Sequence, residues 1–191
     1  VERDLWVKAA NLDPSEHVLQ VPVPRFKAEA FSKDFGYRDA RYNSGWVSCS
    51  MPMSPELSEF LGMWLGDGCL DGDKVSCALG DGRYRDRYAL LVKKLFGRKL
   101  YVDGEQKNQR GRFAHRGLVR YLKSCYVEGK KAIPWEDFIR FSPSCLLGLL
   151  RGLGVSDGSI DRNFRFGQVS PILSQQFWMA SVALGLFPNV Y

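Results

Sequence analysis

Two stretches of this chain, 90 residues apart, repeat one another, and such self-similarity fixes an architecture before any single element is assigned. The first runs SPELSEFLGMWLGDG over 54–68. The second opens at Ser142-Pro143 and runs LLGLLRGLGVSDG over 146–158. Each begins with a serine that can cap a helix and a proline suited to its first turn. Each closes on Asp-Gly, where the glycine is expected to take the left-handed conformation that stops helices. In the first helix Leu57, Phe60, Leu61, Trp64 and Leu65 form an apolar stripe at helical spacing. On another face Ser58, Gly62 and Gly66 recur every four residues, and Gly148, Gly152 and Ser156 repeat them 90 positions later. Small residues remove the side chains that normally hold helix axes 8–10 Å apart. The two helices are therefore expected to pack along Ser58, Gly62, Gly148 and Gly152, bringing Asp67 and Asp157 together at one end.

Folding gains nothing from that arrangement. A carboxylate at a helix C-terminus faces the negative end of the dipole, and two side by side repel. Asp-Gly pairs also start ordinary turns, and that reading would suffice for either pair taken singly. As a matched pair they suit a divalent cation, because Mg²⁺ is commonly held by one or two carboxylates with phosphate oxygens and waters completing the shell.

The repeat continues beyond each helix. Residues 75–79 alternate like a strand, 84–96 read as a helix, and 99–102 read as a strand after a stop at Gly97. A further strand around Phe113 leads to a helix over 117–126. After the second copy, 164–169 and 171–184 follow in the same strand-then-helix order. Each copy thus opens a small α+β unit.

Charge is unevenly spread. Residues 83–131 hold 15 Lys/Arg against 4 Asp/Glu, while the rest of the chain is net negative. Basic residues interleaved with aromatics, as in Arg83-Tyr84-Arg85 and Arg112-Phe113-Ala114-His115-Arg116, suit a phosphate backbone, although a plain solvated face remains the alternative. The apolar and aromatic content excludes a disordered tail. No apolar run is long enough to span a membrane, and the N-terminus does not read as a signal peptide. The five cysteines show no zinc-like spacing with His17 or His115 and are read as reduced thiols of a soluble, cytoplasmic or nucleoid-associated protein.

Residues 60–68 (FLGMWLGDG) and 150–158 (LRGLGVSDG) resemble the nine-residue motif of the LAGLIDADG homing endonucleases. Lys131-Ala132-Ile133-Pro134 is similar to the Lys-x-Ile-Pro block that precedes the second motif in intein-associated members. The opening Trp6-Val7-Lys8-Ala9, with Leu12, Pro14 and 18–22, resembles the junction between an intein's splicing domain and its endonuclease. The resemblance implies an N-terminal junction segment over 1–50, a first unit over 51–141 and a second over 142–191. It implies a pseudo-twofold pair of αββαββα units in a monomer, with saddle-shaped antiparallel sheets lying over double-stranded DNA. It further implies hydrolysis of both strands, with Mg²⁺ or another divalent cation on Asp67 and Asp157. The carbonyls of Gly66 and Ser156 would be added ligands, and Lys131 would polarise the attacking water or stabilise charge. Candidate DNA contacts are Lys99, Lys107, Arg110, Arg112, Arg116, Arg162 and Arg165, with Arg83, Arg85 and Arg87 as further phosphate contacts.

One departure stands out. With Gly97 aligned to Gly185, nothing after Gly185 matches residues 103–131, so the second unit is expected to be incomplete, either because this sequence is a portion of something longer or because the tail has been lost. A catalytically weak or inactive remnant serving as a DNA-binding module is therefore the second hypothesis. The retained aspartates argue against it. Protein splicing is disfavoured, since the chain neither starts with a nucleophile nor ends in His-Asn.

Overall fold

The computed structural model describes residues 25–38, 46–48, 50–80, 82–104, 109–160, 164–167 and 169–186. Expectations for Trp6 to Pro22, Lys107 and Arg162 lie outside them. The chain enters through β1 (Ser32–Asp34), β2 (Tyr37–Arg38), β3 (Trp46–Val47) and β4 (Ser50–Pro52), with β1 antiparallel to β4 and β2 to β3. Lys33 of β1 is tied to the buried carboxylate of Asp137 at 2.8 Å, and the Tyr121 hydroxyl donates to that carboxylate at 3.3 Å.

The first repeated helix is α1 (Pro55–Asp67). The extended Ser54 accepts from the Leu57 amide at 3.1 Å through its hydroxyl, satisfying one of the orphan donors of the first turn. Glycine 68 does not take the expected left-handed conformation: its φ is −83° and ψ 158°, and the chain passes straight into β5 (Gly68–Asp71). Glycine is needed here for closeness instead, because a β-carbon would lie about 2.5 Å from Cγ of Trp64.

A tight turn at Gly72, whose φ is +58°, leads into β6 (Lys74–Ala78). Next come α2 (Gly82–Phe96), β7 (Tyr101–Asp103) and β8 (Arg110–Ala114), and the four strands form one antiparallel sheet in the order β5-β6-β8-β7. α2 starts two residues earlier than its apolar pattern shows, and β7 occupies 101–103 rather than 99–102. The inner side of the sheet carries Val75, Cys77 and Phe113, all buried against the helices. Phe60 of α1 stacks on Tyr88 of α2, and Phe96 stacks on Phe113, so aromatic area fixes how helix and sheet sit together.

α3 (Arg116–Ser124) follows, shorter than the expected 117–126 because Tyr126–Val127 forms β9. The return strand β10 (Lys130–Lys131) pairs with it, and a short α4 (Trp135–Phe138) leads to the second repeated helix, α5 (Pro143–Ser156). Ser142 caps α5 as Ser54 caps α1, its hydroxyl accepting from the Cys145 amide at 3.3 Å. Then come β11 (Gly158–Ile160), β12 (Phe164–Phe166) and α6 (Pro171–Ala183), the order seen after α1. The strand expected over 164–169 stops at Phe166, whose ring stacks on Phe177 of α6 at 4.2 Å. Even the helix stops match: Gly97 after α2 and Gly185 after α6 have φ of +62° and +76°.

Candidate active site and nucleic-acid interface

α1 and α5 lie side by side in parallel. The small residues expected at their contact are there, and the packing is backbone to backbone. A β-carbon on Gly62 would sit 2.9 Å from Cα of Gly152, and one on Gly152 would sit 2.7 Å from the Met63 nitrogen. Gly148 faces the backbone of Pro55 in the same manner, and Ser58 is fully buried. No side chain intervenes, so the ends of the two helices are brought as close as two helices can come.

At those ends a β-carbon on Gly66 would lie 2.6 Å from the Ser156 β-carbon and 3.2 Å from the Asp157 carboxyl carbon. Asp157 therefore crowds the residue just before Asp67. Burial, and after it the charge of Asp157, holds the Asp67 carboxyl above the ordinary carboxylate range. Lys131 and a hydrogen bond from the Tyr84 side chain act against that rise. The Cys77 thiol lies 3.3 Å from the Tyr84 hydroxyl, and burial pushes its pKa up to about 12, so it stays protonated beneath the site.

Lys131 reaches this cluster from β10. Its ammonium donates to the carbonyls of Gly66 and Gly68 at 2.9 Å each and of Trp64 at 3.3 Å. It thus caps the last carbonyls of α1 and places a cation at the negative end of the dipole. Burial lowers its pKa, with Asp157, Cys77 and Asp67 opposing. The Gly66 carbonyl, expected to be free for a ligand, already receives this ammonium. At Ser156 the atom expected as a ligand is the carbonyl; its hydroxyl is a separate group and donates within α5 to the carbonyls of Gly152 at 3.0 Å and Leu153 at 3.2 Å.

One residue that places Lys131 has no signal in the sequence. The fully buried Gln176 of α6 accepts from the Ile133 amide at 3.0 Å and donates to the Ile133 carbonyl at 2.6 Å. A side-chain amide that replaces a strand neighbour so completely fixes the backbone two residues from Lys131.

Among the described residues, no group of three or more His, Cys, Asp or Glu side chains is placed to hold a metal. The protein offers two carboxylates, and the donor set still fits a hard cation, because Mg²⁺ takes its remaining oxygens from water and substrate phosphate. The mutual repulsion of Asp67 and Asp157 is what such a cation would offset.

The outer side of the four-stranded sheet is the second feature. By the strand register it presents Cys69 and Asp71 on β5, Lys74 on β6, Arg110 and Arg112 on β8, and Tyr101 and Asp103 on β7. Of the expected contacts, Arg110 and Arg112 come together here, and Lys99 is exposed just before β7. Arg116 lies at the start of α3 and pairs with Asp73 in the β5-β6 turn at 2.8 Å. Arg83 and Arg85 do not join the face: they belong to α2, which packs against the inner side, and Arg85 bonds Asp86 and Gln109. Arg87 is committed to Glu59, which it grips at 2.7 and 2.5 Å. Arg165 lies in β12, in register with Ser159. Lys74 and Tyr101 were missed as candidates although strand alternation puts them on the same face as Arg112.

Paired, parallel small-residue helices that end in aspartates and carry antiparallel sheets define the LAGLIDADG fold, and this chain has it. The homing endonuclease I-DmoI in complex with DNA and Mn is similar to it with a TM-score of 0.57 and 15% identity, over 73% of this chain and 82% of that one. Mesophilic variants of I-DmoI give 0.58 and 15%, over 73% and 78%. Full-length DUF199/WhiA from Thermotoga maritima gives 0.53 and 16%, over 72% of this chain and 46% of that one. The sequence matches no protein-family model and no curated protein.

Proposed function

We propose that this chain is a site-specific DNA endonuclease of the homing type, acting as a monomer on double-stranded DNA laid along the outer side of the sheet. The observation that carries this reading is the crowding of Asp157 against Gly66, the residue before Asp67, at the shared end of two helices, with Lys131 beside them. A fold alone does not call for that. Half-buried repelling carboxylates cost stability, and a chain that needed only affinity for a polyanion would be better off without them.

In this mechanism Asp67 and Asp157 would hold a divalent cation, Mg²⁺ being the expected one, and it would supply a bound water of lowered pKa and offset charge on the leaving oxygen. The two carboxylates come from the ends of different helices, so one Asp would serve each strand of the duplex. A hydrogen bond from the Tyr84 side chain favours the charged form of Asp67. Lys131, held on the α1 carbonyls and on the Trp64 ring face at 5.5 Å, keeps a positive charge where a phosphate oxygen gains negative charge. The neighbouring structures support the substrate and ion class, since I-DmoI is recorded with DNA and Mn and with DNA and Ca. The Lys131–Pro134 block supports kinship with intein-associated members, and a DNA substrate suits a cytoplasmic or nucleoid-associated protein.

The test is incubation of the purified chain with a plasmid library of candidate insertion sites, with Mg²⁺, with Ca²⁺ and with EDTA. Site-specific linearisation with Mg²⁺ alone is expected. Tight sequence-specific binding without cleavage under any ion would instead favour a DNA-binding module that has lost its chemistry.

A further inference from the structure

The outer side of the sheet mixes charges instead of collecting one sign. Asp71 stands opposite Lys74, and Asp103 stands opposite Arg110 while its Oδ2 lies 3.2 Å from Nη1 of Arg112. A surface that only gripped phosphates would be weakened by every carboxylate on it, because affinity there comes from cations displacing counterions. Nor is the Arg112–Asp103 pair explained by stability. Its side chains are 35% and 56% exposed, and ion pairs that open to water add little. What the pair does is orient. Arginine carries five donors in a rigid fork, and a carboxylate on one side fixes the direction of the rest.

In the major groove, guanine offers two acceptors, N7 and O6, and its partner cytosine offers the N4 amine as a donor. A guanidinium beside a carboxylate is the complementary set. The Asp71–Lys74 row is less suited to that task, since an ammonium is a point charge without a fork. Tyr101 is the cross-strand partner of Arg112 on β7, on the same side of the sheet and 70% exposed.

We propose that Arg112 and Asp103 together read one G·C base pair of the duplex, with Tyr101 against the neighbouring base edge. This rests on the reading of the sheet as the DNA-facing side. A carboxylate is tolerated there because it meets a base edge and not a phosphate.

The experiment selects bound duplexes from a random library with the full chain in Ca²⁺, and repeats the selection for Arg112→Ala, Arg112→Lys and Asp103→Ala. For the wild type a G·C preference at one position is expected. Arg112→Ala should flatten that position about tenfold while the others hold, as losing one bidentate base contact does. Arg112→Lys should flatten it too, although the charge is kept. Asp103→Ala should flatten the same position and at the same time raise affinity for random duplex. Uniform weakening by Arg112→Ala with an unchanged profile, or tighter binding by Asp103→Ala with no position altered, overturns the proposal. A wild-type chain that binds no duplex would remove the sheet as a DNA face, and this proposal with it.

Discussion

The carboxyl carbon of Asp157 lies 3.2 Å from the point a β-carbon would occupy on Gly66. Two residues from different repeats are thus in contact only because one of them has no side chain. The same device operates one turn up α1 and α5, at Gly62 and Gly152, and it ties the chemistry of the site to the packing of the core.

Substitution at Gly152 should therefore be costly even when small. A β-carbon there would meet the Met63 nitrogen at 2.7 Å and the Glu59 carbonyl closer still, and backbone cannot rotate aside. Gly152→Ala is expected to lose about 3 kcal/mol, the upper range for overpacking. Denaturant unfolding checks it: a midpoint unchanged from wild type would mean that the helices can part freely. Gly167→Ala, where open space surrounds the position, serves as the neutral control.

Lys131→Met removes the cation while keeping most of the side chain's length. The carbonyls of Gly66 and Gly68 lose their donor, and Asp67 and Asp157 lose the neighbour that offsets their repulsion. Cleavage is expected to fall by about 100-fold or more, in the range found for removing one electrostatic stabiliser. DNA affinity should change only a few-fold. Single-turnover cleavage and equilibrium binding, run side by side, separate the two; equal loss in both would assign Lys131 to binding.

Gln176→Leu tests whether α6 positions that lysine. The change leaves the Ile133 amide and carbonyl buried without partners, which costs about 1–3 kcal/mol. Because Ile133 is two residues from Lys131, cleavage should fall more than binding does. A variant that is destabilised but cleaves at the wild-type rate below its melting temperature would limit Gln176 to the core.

His115 gives a pH dependence with a definite sign. Its Nδ1 accepts from the Leu118 amide at 3.0 Å as the N-cap of α3, a role only the neutral ring can fill. Burial holds its pKa below the ordinary 6.5, with Arg98 adding to the fall. The folded value is below the unfolded one, so the unfolded chain takes up the proton first. The stabilisation is present above about pH 6.5 and is lost as pH drops through the folded-state value. Thermal melts should show stability falling from pH 7 to pH 5 more steeply in wild type than in His115→Asn, which keeps a cap without the titration. Parallel curves would show that the ring does not titrate in this way.

Much of this was legible in the sequence because the informative residues are small or repeated. Ser-Pro and Asp-Gly mark both ends of α1 and α5, and the glycine spacing shows which faces meet. The pairing of Asp67 with Asp157 follows from those two facts. Less was legible where a role depends on a partner distant in sequence. Gln176 reads as an ordinary polar helix residue until Ile133 is beside it, and the commitment of Arg87 to Glu59 is invisible without the turn that brings α2 onto α1. The left-handed glycine expected at Gly68 failed for a related reason, because the Trp64 indole fills the space beside it. Composition offers Arg83 and Arg85 as phosphate contacts beside Arg112. Only the register of β8 between β6 and β7 separates a sheet face from a helix surface.

The most direct test of the paired-aspartate site is the separate replacement of Asp67 and Asp157 by asparagine, with cleavage and binding measured on the same duplex. The account predicts that each change alone abolishes Mg²⁺-dependent cleavage, while affinity in Ca²⁺ stays within a few-fold of wild type. Wild-type cleavage by either variant, or loss of binding equal to the loss of cleavage in both, would contradict it.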